Sequence, residues 1–208
     1  MNADFGINGR RLETERLVLR AFQASDLNDF YEYASEDGLG EMAGWKHHES
    51  LEETKEVLDL FIREDKTFAV CLKDSGKVIG SVGVEKYAME EQLTELSAYK
   101  GREIGYVLGK AYWGRGIMPE AVNAVIRYLF HDQALDFLLC SHYAFNAQSR
   151  RVQEKSGFKP YRKVMLATHT EIKKEGVLNL LWNPEKMLPC PPRHPRSKAP
   201  SSGIAQRM

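Results

Sequence analysis

The chain lacks the features that would assign it to several specialised classes of protein. Its longest unbroken apolar run spans only residues 68–72, whereas a membrane-spanning helix needs about 20 apolar residues. Its first residues contain no apolar stretch of the kind found in secretory signals. Its formal net charge is zero, with 29 basic and 29 acidic side chains, so no excess of positive charge points to nucleic acid. These absences predict a cytoplasmic protein with no membrane or nucleic-acid partner.

Cysteine is scarce and provides no framework of cross-links. The three cysteines, Cys71, Cys140 and Cys190, are an odd number, and their spacing matches no common metal motif. We therefore expect reduced thiols and no metal centre. His47 and His48 look metal-like, but they have no partner ligands at helical or hairpin spacing, so a solvated loop is predicted there.

The composition predicts one folded domain followed by a tail. Hydrophobic residues make up 43% of the 208 residues and charged residues 28%, which is typical of a globular domain of this length. Residues 12–187 are predicted to form it, after a flexible N-terminal segment of residues 1–11. Residues 188–208 hold five of the eight prolines, four basic residues and no acidic residue. Because so little apolar surface is available there, this segment is predicted to be disordered; a simple solubilising extension is the alternative to a functional tail.

Apolar periodicity predicts a mixed α/β domain. Strands are expected over residues 12–21, 68–72, 78–84, 103–108, 137–144, 158–167 and 177–182. Helices are expected from Ser25, over residues 51–63, from Pro119 and from Asn146 to Gly157. A doubly wound sheet would alternate strands with helices, whereas several of these strands follow one another directly. We therefore predict a mostly antiparallel sheet with flanking helices.

Charge is distributed unevenly along this domain. Residues 26–65 contain 13 acidic residues and three basic ones, and residues 141–163 contain six basic residues and one acidic one. Two interpretations stay open: solvated helix faces, or a surface that attracts cations near one end and anions near the other.

Two glycine-containing segments resemble nucleotide-binding motifs to different degrees. Residues 38–43 match the dinucleotide pattern G-x-G-x-x-A, but a predicted helix precedes them where that motif requires a strand. Residues 103–119 instead run from a strand (EIGYVL) through a turn (WGRGIMP) into a helix. That order directs unpaired backbone N–H groups and a positive helix end at one point, which suits a phosphate or pyrophosphate. An ordinary tight turn is the alternative at this stage.

A second segment, residues 146–158 (NAQSRRVQEKSGF), follows after one predicted strand. Together the two segments resemble the GNAT superfamily of acetyl-CoA-dependent N-acetyltransferases. The first is similar to its pyrophosphate loop, Q/R-x-x-G-x-G/A, and the second to its helix N-x-x-A/S…E-K-x-G-F. Residues 13–20 (ETERLVLR) are similar to the Rim-type branch, which contains ribosomal-protein N-terminal acetyltransferases. The resemblance covers about residues 12–182.

The resemblance implies a fold in which two neighbouring central strands, here residues 103–108 and 137–144, splay apart around acetyl-CoA. Backbone amides of residues 114–118 would hold the pyrophosphate, Asn146 the pantetheine arm, and basic residues of the second segment, including Arg151, the phosphate charge. The expected cofactor-binding residues are Tyr106, Val107, Leu108, Trp113, Gly114, Arg115, Gly116, Ile117, Met118, Pro119, Asn146, Ser149, Arg150 and Lys155.

The resemblance also implies direct attack of a primary amine on the thioester carbonyl. Glu103 is the expected general base, His142 is the second candidate, and a backbone N–H near Val107 is expected to polarise the carbonyl. The acidic residues 26–65 predict a cationic acceptor, either a peptide N-terminus or a small amine. A monomer or a homodimer is expected.

Three positions depart from the family pattern. Trp113 stands where glutamine or arginine is usual, although the Rim-type branch is similar at this tryptophan, and Met118 stands where a small residue is usual. Gln153 replaces a tyrosine that protonates the departing thiolate in many members. Ser149 is the expected substitute, since the Rim-type branch has a serine there, and water is the other source of the proton. The alternative function is a catalytically silent module that binds acyl-CoA and regulates.

Overall fold

The computed structural model describes residues 1–170 and 172–186, which form a sheet with helices on both faces. Its strands are Leu12–Glu13 (β1), Leu17–Ala21 (β2), Thr67–Leu72 (β3), Val78–Glu85 (β4), Gly101–Leu108 (β5), Phe137–Tyr143 (β6), Lys159–Ala167 (β7) and Lys173–Trp182 (β8). The helices are Leu27–Ala34 (α1), Leu51–Glu64 (α2), Ile117–His131 (α3) and Ala147–Lys155 (α4). The strand order is β1-β2-β3-β4-β5-β6-β8-β7.

The sheet is antiparallel except between β5 and β6 at its centre. These two strands pair only from Gly101 to Glu103 and from Phe137 to Leu139. Beyond these residues they separate, although β5 continues to Leu108 and β6 to Tyr143. The predicted mixed fold with splayed central strands is confirmed.

Apolar cores cover both faces of the sheet. On one face α3 contributes the side chains that its periodicity predicts, and Val122, Val125 and Leu129 are fully buried. On the other face α1 and α2 bury Phe30 and Leu58 in a separate core. The gap between β5 and β6 is reached from one layer by the first residues of α3 and from the other by the loop after α1.

Several predicted boundaries are wrong. Residues 12–21 form two paired strands because a turn intervenes, in which the Thr14 hydroxyl oxygen accepts a 2.9 Å hydrogen bond from the Leu17 amide. The helix predicted from Pro119 begins at Ile117, since Gly116 takes the left-handed conformation and serves as the N-terminal cap. Proline is still accommodated there, because the first-turn N–H groups of a helix have no intrahelical partner.

The N-terminal segment predicted to be flexible packs against the domain. Ile7 is buried, and its amide donates a 2.7 Å hydrogen bond to the Asp65 carbonyl. Asn2 forms a bridge with Gly101 at the start of β5. The predicted tail, residues 188–208, lies outside the described residues, and so does Cys190. Cys71 and Cys140 are buried free thiols, and no helix in the described ranges is long and apolar enough to cross a membrane.

Gly101 lies where β5 and β6 still pair, and a Cβ there would collide with the buried ring of Phe137. We expect Gly101→Ala to lower the free energy of unfolding in urea by about 1–3 kcal/mol, because overpacking displaces side chains. Gly105→Ala on the same strand is the matched control, since no atom lies within 4 Å of its added Cβ. An equal loss of stability in both variants would contradict this explanation.

Candidate active site

A cavity of about 650 Å³ opens where β5 and β6 separate. Its walls come from both strands, the loop before α3, helix α4 and the loop after α1. The predicted residues that line it are Glu103, Tyr106, Val107, Leu108, Trp113, Gly114, Gly116, Ile117, Met118, Pro119, His142, Asn146, Ser149 and Lys155. Arg115 and Arg150 do not line it. The Arg115 guanidinium lies over the Tyr112 ring, and Arg150 is 3.7 Å from Glu154 on the outer face of α4.

The start of α3 presents free backbone donors to this cavity. Gly114 and Gly116 both have φ of 74°, a conformation that glycine adopts at little cost. Within the described residues, none of the N–H groups from Gly114 to Met118 donates a hydrogen bond. Because the positive end of the α3 dipole lies at the same place, this loop suits a phosphate or diphosphate.

Neighbouring elements hold this loop in position. Arg16 donates to the Glu120 carboxylate at 2.7 Å and to the Arg115 carbonyl at 3.0 Å, and the Thr14 hydroxyl donates to Glu120 at 2.6 Å. The Trp113 indole N–H donates to the Leu108 carbonyl at 2.6 Å. The turn between β1 and β2 therefore holds the loop through Thr14 and Arg16, and Trp113 connects the loop to the end of β5.

Glu103 lies at the narrow end of the gap. Its carboxylate accepts a 2.6 Å hydrogen bond from the Ser141 hydroxyl of β6. Burial raises the pKa of Glu103 above its ordinary value of 4.5, and Glu85 on the neighbouring strand adds to this, while the Ser141 hydrogen bond opposes it. A carboxylate with a raised pKa is a better general base toward an ammonium group.

His142 does not join Glu103. Consecutive strand residues point to opposite faces of the sheet, so Ser141 lies with Glu103 while His142 faces α4. Its Nδ1 atom is 3.1 Å from the Gln153 side-chain oxygen. Burial lowers the pKa of His142 below its ordinary value of 6.5, which keeps the ring neutral at pH 7. Glu103 and His142 therefore lie on opposite faces of the sheet, and both line the cavity.

Asn146 caps α4, as predicted. Its side-chain oxygen accepts a 2.9 Å hydrogen bond from the Ser149 amide, and its amide nitrogen donates to the Met42 carbonyl at 3.1 Å. The same side chain thus starts α4 and connects it to the loop after α1. Its predicted contact with pantetheine stays a prediction.

The sequence predicted a carbonyl-polarising backbone N–H near Val107, and the N–H groups that face the gap there are those of its two neighbours. A Cβ on Gly80 of β4 would touch the Val107 carbonyl oxygen, so the peptide groups of Val107 face β4. Because successive peptide groups of a strand point to opposite sides, the N–H groups that face the gap are those of Tyr106 and Leu108. Val107 lines the cavity through other atoms.

The sequence missed one wall of the cavity, which comes from residues 38–43. A helix precedes this segment, which contains the short 3₁₀ turn Gly40–Met42, so it lacks the strand that a dinucleotide motif requires, as expected. Leu39, Met42 and Ala43 line the cavity, whereas no acidic residue of the stretch 26–65 does. Among the charged side chains that line the cavity, the sequence missed Glu85 on β4. Arg151 also lines it and was expected only as part of a basic group.

The adjacent histidines are not both solvated, contrary to the prediction. His48 is buried, with its Nδ1 2.9 Å from the Thr54 hydroxyl. His47 lies 3.0 Å from the Glu41 carboxylate, and Asp37 completes a small group at the surface. The fold, rather than sequence spacing, brings these three residues together.

Comparison with known proteins assigns the family. The model of the acetyltransferase (GNAT) domain matches residues 16–159. The chain belongs to the GNAT acetyltransferase family. The uncharacterized N-acetyltransferase YnaD of Bacillus subtilis is 28% identical over 153 residues, which cover 71% of this chain and 82% of YnaD.

Solved structures of GNAT proteins share the fold. A GNAT-family acetyltransferase from Bacillus anthracis has a TM-score of 0.73 at 22% identity, covering 83% of this chain and 98% of that one. The ribosomal-protein-S5-alanine acetyltransferase of Vibrio fischeri has a TM-score of 0.64 at 22% identity, covering 84% and 97%. The GNAT family uses acetyl-CoA, and the free amides before α3 and the open strand edges fit this molecule's diphosphate and amide groups.

We expect Gly116→Val to weaken binding of coenzyme A at least about 10-fold in isothermal titration calorimetry. A left-handed conformation costs a branched side chain about 1–2 kcal/mol, and relief of that strain would turn the amides away from the diphosphate. Gly76→Val is the matched control, because Gly76 has nearly the same φ of 73° in the turn between β3 and β4. Equal affinity in Gly116→Val and the wild type would refute the diphosphate site.

Proposed function

We propose that the protein transfers the acetyl group of acetyl-CoA to a cationic primary amine by direct attack. The observation that carries this proposal is one continuous cavity that joins the free amides before α3 to the half-buried carboxylate of Glu103. The free amides are suited to binding a diphosphate, and the Glu103 carboxylate is suited to removing a proton from an amine. The distance between them is bridged by unpaired edges of β5 and β6.

The part of the proposed site that binds acetyl-CoA consists of backbone groups and two basic side chains. Amides from Gly114 to Met118 hold the diphosphate, and the exposed edges of β5 and β6 pair with the amides of pantetheine, as an added strand would. Arg151 and Lys155 of α4 line the same cavity and balance phosphate charge. Arg150 has no part in this, because it does not line the cavity.

The chemical step needs a base, a polarised carbonyl and a stabilised thiolate. Glu103 takes a proton from the ammonium group, and the amine nitrogen then bonds to the thioester carbon. The nitrogen loses its second proton to water as the adduct collapses. The gap-facing N–H groups of Tyr106 and Leu108 polarise the carbonyl oxygen. The carbon–sulfur bond breaks with its electron pair on sulfur, next to Ser149. Little assistance is required there, because a thiol has a pKa of about 8.5.

The acceptor side favours a positive charge next to an apolar group. Glu85 and Glu103 are the carboxylates that line the cavity, while Leu39, Met42 and Ala43 form an apolar wall. This combination supports a peptide N-terminus or a small apolar amine. We still expect the enzyme to prefer a cationic acceptor amine. The negative charge that attracts this amine comes from Glu85 and Glu103 rather than from the acidic residues 26–65.

A thiol-release assay with acetyl-CoA and a panel of amines tests the proposal. The panel contains peptides with different N-terminal residues, polyamines and small amines, with amino acids that carry extra carboxylates as the anionic members. We expect release of coenzyme A with cationic members at a rate above hydrolysis, because the two glutamates attract them. Tight binding of acetyl-CoA without release from any amine would instead support the silent regulatory module. A preference for anionic amines would reject the acceptor class.

Glu103→Gln should lower kcat by about 100-fold or more, the usual effect of losing a general base.

In the wild type we expect kcat to rise with pH through an apparent pKa above 4.5, because only the ionised carboxylate accepts the proton. Ser141→Ala should move this rise to higher pH, since the lost hydrogen bond had lowered the pKa of Glu103. Measured kcat–pH profiles that coincide for the wild type and Ser141→Ala would rule out Glu103 as the base.

A further inference from the structure

Gln153 occupies the position where many GNAT members carry a tyrosine, and its surroundings suggest a different use. It lies on α4 and is only 2% exposed. The amide cannot act as an acid. Both ends of its side chain nevertheless make hydrogen bonds, and one of the partners is Ser149.

The contacts of Gln153 determine the positions of the nitrogen and the oxygen of its side-chain amide. Its nitrogen lies 3.1 Å from the Ser141 backbone carbonyl, which can only accept. Its oxygen lies 2.6 Å from the Asn179 side-chain nitrogen. In this orientation the second N–H of Gln153 donates to the Ser149 hydroxyl oxygen at 3.2 Å. Gln153 is therefore a fixed donor to Ser149.

Tyr106 approaches the same serine from β5. Its hydroxyl lies 3.0 Å from both the hydroxyl oxygen and the carbonyl oxygen of Ser149. Burial raises the pKa of Tyr106 far above its ordinary value, so the phenol stays protonated and able to donate. The phenol has a single hydrogen, and a carbonyl can only accept, so this hydrogen goes to the Ser149 carbonyl, while the hydroxyl–hydroxyl contact holds the serine oxygen in place. Because Gln153 donates to the Ser149 oxygen, the hydrogen of Ser149 points away from Gln153, toward the Tyr106 oxygen or the cavity that Ser149 lines. Ser149 and Tyr106 both line the cavity.

The following inference rests on the proposed function. We propose that Gln153 and Tyr106 are positioning residues that orient the Ser149 hydroxyl toward the coenzyme A sulfur, so that Ser149 stabilises the departing thiolate through a hydrogen bond. The carbon–sulfur bond breaks and its electron pair goes to sulfur, which takes a proton from water after it leaves. The amine nitrogen loses two protons in all: Glu103 takes the first and returns it to solvent, and the second leaves through water, which balances the proton taken up by the thiolate. Gln153 thus replaces the missing acid indirectly, by directing its neighbour.

A double-mutant cycle with acetyl-CoA and an amine that gives thiol release tests this role. Gln153→Met removes the donor at similar volume, and Ser149→Ala removes the hydroxyl. We expect each to lower kcat about 10-fold or more, the effect of losing a hydrogen bond to a charged atom, while KM for acetyl-CoA and the affinity for coenzyme A change less than about 2-fold. Because Gln153 acts through Ser149, adding Gln153→Met to Ser149→Ala should lower kcat no further. Gln92→Met, on an exposed turn, is the control for the substitution itself.

Tyr106→Phe provides a second test that does not depend on the folding of the Gln153 variant. It should lower kcat in the wild type and have no effect in the Ser149→Ala background. Wild-type kcat in Ser149→Ala, or further losses in the double variants, would overturn the positioning role. Absence of thiol release from the wild type with every amine would overturn the proposed function and this inference with it. Normal wild-type turnover with unaffected variants would overturn the inference alone.

Discussion

The active-site cleft depends on one interruption of backbone pairing. Parallel strands β5 and β6 pair at three positions on each strand and then separate, which leaves backbone donors and acceptors unpaired in the middle of the sheet. Such edges are normally covered, because buried peptide groups without partners cost free energy. A ligand that carries amides along its length can satisfy them, and the cavity at this point extends to the free amides before α3. The fold therefore contains a binding site because its sheet is incomplete.

Keeping that gap open requires supports on both sides of it. Arg16, in the turn before β2, donates to the Glu120 carboxylate and the Arg115 carbonyl and so connects the loop before α3 to that turn. Asn146 joins α4 to the loop after α1 across the mouth of the gap. At the narrow end, Ser141 and Glu103 connect the two strands through side chains where the backbone pairing stops.

Short-range patterns predicted much of this site, and long-range contacts account for what they missed. The strand–glycine–helix order located the glycine loop that lines the cavity before α3, and Asn146 capped its helix as expected, because both depend on residues within a few positions. Arg150, Arg151 and Lys155 were expected together as a basic group, but Arg150 does not line the cavity as the other two do, since the rotation of α4 against the sheet decides which side chains face it. The apolar wall at Leu39 and Met42 followed no motif, because only tertiary packing brings that loop to the gap. The N-terminal segment was misjudged for the same reason: Ile7 is buried by contacts distant in sequence.

Strand alternation also separates the two halves of the proposed chemistry. Glu103 and Tyr106 are three residues apart on β5, so their side chains lie on opposite faces of the sheet. Glu103 meets Ser141 on the face covered by α1 and α2, whereas Tyr106 meets Ser149 on the face covered by α3 and α4. In the proposed reaction the amine attacks from one side and the sulfur departs toward the other. The base and the group that contacts the sulfur must therefore lie on opposite faces. A single strand bordering the gap can therefore position the group that accepts the amine's proton and the group that steadies the leaving sulfur, even though Gln153 has taken the place of the usual acid.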